Sequence, residues 1–258
     1  MDPAWAWYRS AVRNRIISSS HLSSINYAIS PNMCEEYQEI IGKPFKHLCK
    51  VADPPLSIAP VSRRSPTIMS YVGNLNTGRA ETLGLIAGIV CDINNDAGQT
   101  VVQLHVYSQE VPTQQQLSEI HRDQDSVFHG AVAPERVSSI LGASDVVIHA
   151  EALGGSDEAA TRLSFSTKII DLLVSQRAIL AVGSKRNASL SHLRQEPPVA
   201  ALAHSAQDVR GAVERLVDDS DFRQGLAAEA LDFAMTFHLR GTMDRQLHRE
   251  LHLLGSAK

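Results

Sequence analysis

The stretch TIMSYVGNLNTGR, residues 67–79, decides the fold of this chain. Six residues rich in β-branched and aromatic side chains run into a glycine, a short polar turn with a second glycine, and an arginine that opens a helical pattern. A strand over 67–72 followed by a helix over 79–93 is the first half of a βαβ unit, and the alternation repeats downstream. Strands are predicted over 101–107, 127–129, 145–149 and 178–182, with a short apolar run at 199–203. Helices are predicted between them over 113–121, 135–141, 167–174 and 189–193. Strand-length apolar runs alternating with amphipathic helices imply an α/β fold, a Rossmann-like parallel sheet with flanking helices. Residues 65–205 read as one doubly wound domain, and 206–254 read as helical throughout.

Upstream, residues 5–18 read as helical. A short apolar run over 25–30 ends in Ser-Pro, which places Ser30 at an N-cap and Pro31 at N1 of a helix over 32–41 that stops at Gly42. Residues 45–51 are strand-like, and Pro54, Pro55, Pro60 and Pro66 mark a linker.

The chain has 258 residues, a net charge of −4 and 43% hydrophobic residues, which excludes a disordered or collagenous chain and argues against a generic polyphosphate-binding surface, with local anion sites left open. Cys34, Cys49 and Cys91 form no CxxC pair and leave an odd thiol, so a cytoplasmic location is expected. No apolar run approaches the roughly 20 residues that span a bilayer. Basic residues near the C-terminus leave a peripheral contact with an anionic membrane as an expectation.

In an open parallel sheet, ligands bind where strand ends lead into helix N-termini. Three such loops stand out. In the first, Gly73 and Gly78 let backbone groups approach a ligand and Arg79 adds a cation at a helix start, although the same residues also suit a plain turn. In the second, Gly130-Ala131-Val132 follows a strand, where backbone groups can read a flat ring or glycine can simply shape a turn. In the third, a long polar loop from His149-Ala150-Glu151 reaches Ser166-Thr167-Lys168, with Asp171 one turn on. Ser166 is expected to cap the helix, with Thr167 and Lys168 able to meet a phosphate and Asp171 a pair of hydroxyls. The bland alternative is a capped helix with a solvated lysine.

Together these segments, with Ser144-Asp145-Val146-Val147 and Ala178-Ile179-Leu180, resemble the donor-binding half of GT-B glycosyltransferases, nearest to retaining, GT4-like enzymes. The resemblance implies that Gly73, Asn74, Arg79, Ser166, Thr167 and Lys168 face the donor diphosphate. It places Gly130, Ala131, Val132 and Asp171 at the nucleoside and Glu151 at the sugar. There are departures. Asn74 stands where an arginine is usual, Leu163 where many members have glutamate, and Gln176-Arg177-Ala178 where Gly-Lys-Pro is familiar.

Tyr27 to Tyr37 resembles the end of the family's first Rossmann-like domain. The domain reading is therefore 1–52 as a remnant of an acceptor domain, 53–64 as linker, 65–236 as donor-binding domain and 237–258 as a cross-over helix. The implied function is transfer of a sugar from a nucleotide-diphosphate sugar to a saccharide or lipid-linked acceptor, in polysaccharide or glycoconjugate synthesis. Retention is implied, with no metal, no cofactor and no catalytic residue assigned. The alternative is a truncated, catalytically incomplete binding module that needs a separate N-terminal-domain partner or self-associates. A dinucleotide oxidoreductase is disfavoured by the lack of GxGxxG. Asp123-Gln124-Asp125 matches the metal-binding DxD pattern but precedes a strand and reads as a solvated turn. His248 and His252, one helical turn apart, read as a solvated face rather than a metal site.

Overall fold

The chain divides into two units, one made of residues up to Lys50 together with those from Gly241 onward, the other Val51–Arg240. A computed structural model describes residues 3–53 and 65–255. Apart from Asp53, the expected linker lies outside the described residues.

The smaller unit begins with α1 (Pro3–Leu22), β1 (Asn26–Ala28), α2 (Pro31–Ile41) and β2 (Phe45–His47). β1 and β2 pair in parallel. Ser30 is the N-cap of α2, its hydroxyl accepting from Met33 N at 3.2 Å, with Pro31 in the first turn and Gly42 ending the helix in the left-handed region.

The larger unit carries β3 (Thr67–Val72), α3 (Arg79–Ala97), β4 (Val102–Tyr107), α4 (Gln114–Ile120), β5 (Ser126–Gly130), α5 (Pro134–Ala143), β6 (Val146–Ala150), α6 (Gly155–Thr161), α7 (Lys168–Leu173), β7 (Ala178–Val182), α8 (Ala188–Leu193), β8 (Ala201–Ala203), α9 (Ala206–Asp218) and α10 (Ser220–Phe237). The last helix, α11 (Arg240–Gly255), belongs almost wholly to the smaller unit, where Glu250 accepts from Tyr27 Oη at 2.5 Å and pairs with Lys46 at 3.0 Å.

All six strands of the larger unit run parallel in the order β5-β4-β3-β6-β7-β8. β6 and β7 are buried at every position, which is why they read as unbroken apolar runs rather than as alternating ones. Leu83, Ile86 and Val90 of α3 and Val209, Val213 and Leu216 of α9 close one core against Met69, Leu104 and Leu180.

α3 runs past the expected end at Ile93 as far as Ala97. Asn94 makes this extension pay structurally: its Oδ1 accepts from the N–H groups of Val101 and Val102, while its Nδ2 donates to the Val102 carbonyl. The long polar loop after β6 also differs from expectation, because it contains α6.

The strand order reverses between β3 and β6, so their carboxyl ends diverge into a crevice, the place where ligands enter sheets of this kind. Gly73 and Glu151 are the residues that follow these two strands.

Candidate functional site

A cavity of about 740 Å³ opens at the carboxyl edge of the sheet. Gly73 and Asn74 after β3, Glu110 after β4, Val132 after β5, and Lys168 and Asp171 of α7 all border it. Leu141 of α5 and Leu172 of α7 add an apolar wall, so the space combines a greasy side with a few convergent polar groups.

Two glycines shape the first loop. Gly78 has φ 79, and a Cβ there would come within 2.6 Å of the Ala152 Cβ, so glycine allows the loop after β6 to lie against the start of α3. At Gly73 a side chain would collide with the Tyr71 ring, whose hydroxyl donates to the Asn74 carbonyl at 2.5 Å.

That close approach positions Arg79. Its Nη2 donates to both carboxylate oxygens of Glu151, at 2.9 and 2.7 Å. Its Nη1 donates to Asn74 Oδ1 at 2.9 Å, Thr77 Oγ1 at 2.8 Å and the Asn76 carbonyl at 3.3 Å. Glu151 is fully buried and its backbone carbonyl accepts from Thr82 Oγ1 at 2.8 Å. Burial raises the Glu151 carboxyl above its usual value, and the guanidinium works against that rise.

His149, two residues earlier on β6, is also buried, with Nε2 3.4 Å from Glu151 Oε1 and without a hydrogen bond of its own. Burial, then the Arg79 and Lys168 charges, push His149 down to about 3, so its ring is neutral at physiological pH. Lys168 is exposed at the start of α7, and desolvation followed by the Arg79 charge lowers it. Glu110 is held below its ordinary value chiefly by the Ser108 hydroxyl, which donates to it at 2.7 Å, and more weakly by Lys168. Tyr107 forms part of the cavity wall and stacks on His129 with centroids 4.5 Å apart.

Of the residues singled out in the sequence, Gly73, Asn74, Val132, Lys168 and Asp171 meet at the cavity, and Arg79 and Glu151 stand behind Asn74. Gly130 shapes the neighbouring turn, its carbonyl accepting from Ser108 N at 3.0 Å, while Ala131 is exposed and does not border the cavity.

The expected capping by Ser166 is not formed. Thr167 occupies the N-cap with φ −63 and ψ −17 and makes no side-chain cap bond, because a capping side chain needs an extended backbone and this one is already helical. The Ser166 N–H instead donates to Ser189 Oγ at 3.0 Å. Glu110 and the buried role of His149 were missed. Glu110 follows a strand end in the β4 loop, which the switch-point rule would have included.

Asp123-Gln124-Asp125 is a turn at the opposite edge, with Asp123 in the left-handed region and Asp125 Oδ1 accepting from Asn94 at 2.7 Å. Among the described residues no group of three or more His, Cys, Asp or Glu could hold a metal ion. No helix among them is long and apolar enough to cross a membrane.

No protein-family profile and no curated protein matches the sequence. Solved structures do. A mutant of S. aureus TarM in complex with Fondaparinux, alpha-GlcNAc-glycerol and UDP superposes with a TM-score of 0.70 at 12% identity, over 92% of this chain and 45% of that one. The pneumococcal O-GlcNAc transferase GtfA, in complex with UDP and GlcNAc, gives 0.62 at 11% identity over 92% and 46%. WaaG, a glycosyltransferase involved in lipopolysaccharide biosynthesis, gives 0.60 at 12% over 85% and 60%. This chain therefore spans about half the length of the structures it matches. Its architecture is that of the GT-B glycosyltransferases, with the six-stranded sheet corresponding to their C-terminal domain.

Proposed function

We propose that the cavity at the carboxyl edge of the sheet holds a nucleotide-diphosphate sugar, and that the chain serves glycosyl transfer to a saccharide or lipid-linked acceptor. The observation that carries this reading is the convergence of Lys168, Asp171 and the Gly73-Asn74 loop, backed by Arg79, on one cavity at the switch point of the sheet. In this reading Asp171 takes the ribose hydroxyls, the apolar side beside Val132 takes the base, and the diphosphate lies toward Gly73, Ser166, Thr167 and Lys168. As the glycosidic bond breaks, the leaving diphosphate gains negative charge, and Lys168 and Arg79 stabilise that charge in place.

Membership of the GT4-like group, retention of anomeric configuration, metal independence and a role in polysaccharide synthesis belong to the same proposal and rest on the motif resemblance. So does a partner that completes the acceptor side. UDP accompanies two of the structural neighbours and is the first diphosphate to try. Cys34, Cys49 and Cys91 are present as thiols, which suits a cytoplasmic setting.

The test is turnover of UDP-sugars with and without a chelator, followed by the anomeric configuration of the product. Lys168→Ala is expected to lower turnover about 100- to 1,000-fold. Turnover within a few fold of the wild type would remove Lys168 from the mechanism.

A further inference from the structure

The ion pair behind the cavity raises a problem for anion binding, and the protein carries a group that answers it. Both carboxylate oxygens of Glu151 lean on Arg79 Nη2, and Arg79 Nη1 is shared among Asn74, Asn76 and Thr77. An anion that draws the guanidinium toward the cavity takes it from Glu151, which is fully buried. A buried carboxylate stripped of its partner is strongly unfavourable. Apart from Arg79, the side chain nearest to serve it is His149, whose Nε2 lies 3.4 Å from Glu151 Oε1 and makes no hydrogen bond.

We propose that His149 takes up a proton when a diphosphate engages Arg79, and that the resulting imidazolium replaces the guanidinium as the partner of Glu151. The inference rests on the proposed donor site, because it needs an anion at Arg79.

The charged groups facing His149 are Arg79 from the start of α3, Lys168 from the start of α7 and Glu151 from its own strand end. In the free protein burial, and after it the two cations, keep the ring neutral. A diphosphate neutralises both cations at once and leaves the Glu151 anion in place, so both changes of charge around the ring favour protonation while its burial persists. The proton comes from solvent, and binding thus becomes coupled to pH. His149 acts as a positioning residue: it touches neither donor nor acceptor and supports the anion site through Glu151.

The test is calorimetric titration of the whole chain with UDP in buffers that differ in ionisation enthalpy, at about pH 6 to 8. The same series on Glu151→Gln subtracts the ionisation of UDP itself. The wild type is expected to show net proton uptake relative to Glu151→Gln, growing toward the acid end. His149→Gln should lose that uptake and retain binding.

Binding with no difference in uptake between wild type and Glu151→Gln overturns the inference and leaves the donor site standing. Uptake that persists in His149→Gln removes His149 from the role. Absence of binding by UDP, GDP and ADP overturns both the donor site and the coupling. Where Glu151→Gln folds poorly, the His149→Gln series is the baseline instead, and equal uptake in wild type and His149→Gln contradicts the proposal.

Discussion

Arg79→Ala tests the electrostatics of the site without any ligand. Glu151 is fully buried, and Arg79 supplies both of its short contacts, at 2.7 and 2.9 Å. Its other ionisable neighbour, His149, is neutral while Arg79 is present. Removing one partner of such a buried pair costs about 3–5 kcal/mol. For a unit of this size that corresponds to a fall of roughly 6–20 °C in melting temperature.

The loss must also depend on pH. Without Arg79, the folded-state carboxyl rises further above its unfolded value of about 4.3, so between those two values the native variant binds more protons than the unfolded chain. Its stability therefore declines as pH rises through that window, by up to about 1.4 kcal/mol per unit, and recovers toward the acid side. Urea unfolding at a series of pH values reads this directly. Arg79→Ala combined with Glu151→Gln should recover most of the loss and flatten the slope. A single-variant loss below about 1 kcal/mol with no pH slope would refute the claim that this carboxylate depends on Arg79.

Three further outcomes follow from the same geometry. His149 is held down to about 3, so the unfolded chain binds the extra proton and the wild type should lose stability as pH falls from about 6.5 toward that value. His149→Gln should shallow this acid limb in a urea series, and an unchanged limb would show that another group controls it. Gly73→Ala, which forces a methyl group against the Tyr71 ring and disturbs its bond to Asn74, should cost about 1–3 kcal/mol in the same assay. Gly130→Ala, where nothing lies within 4 Å of a new Cβ but φ is 74, should cost about 1 kcal/mol in the same assay.

Much of the architecture was readable because the physics acting on it is local. β3 and β7 begin and end where their apolar runs do, and α2 is bounded by Ser30 and Gly42, which act through their own side chain and backbone. α6 was not readable: it starts at two glycines and is polar, so its position depends on neighbours such as Ser184, whose hydroxyl donates to Glu158 at 2.6 Å. Gln176 takes φ 60 where the resembling family has glycine, while Arg177 is buried with its guanidinium on the Gly142 carbonyl, a substitution whose consequences lie in tertiary contact.

The site divides in the same way. Arg79, Lys168 and Asp171 could be named because each sits at a predictable strand end or helix start. The pairing of Arg79 with Glu151 joins residues 72 apart in the chain, and no periodicity announces it. His149 was hidden for a related reason: on a strand buried on both faces, a histidine leaves no pattern that separates it from its apolar neighbours.

The most direct test of the donor site is calorimetric titration of the wild type and Lys168→Ala with UDP, GDP and ADP. One diphosphate should bind the wild type, and Lys168→Ala should weaken it by about tenfold or more while the variant melts within a few degrees of the parent. No binding by any of the three, or equal affinity in the two proteins, would contradict the assignment of this cavity to a nucleotide-diphosphate sugar.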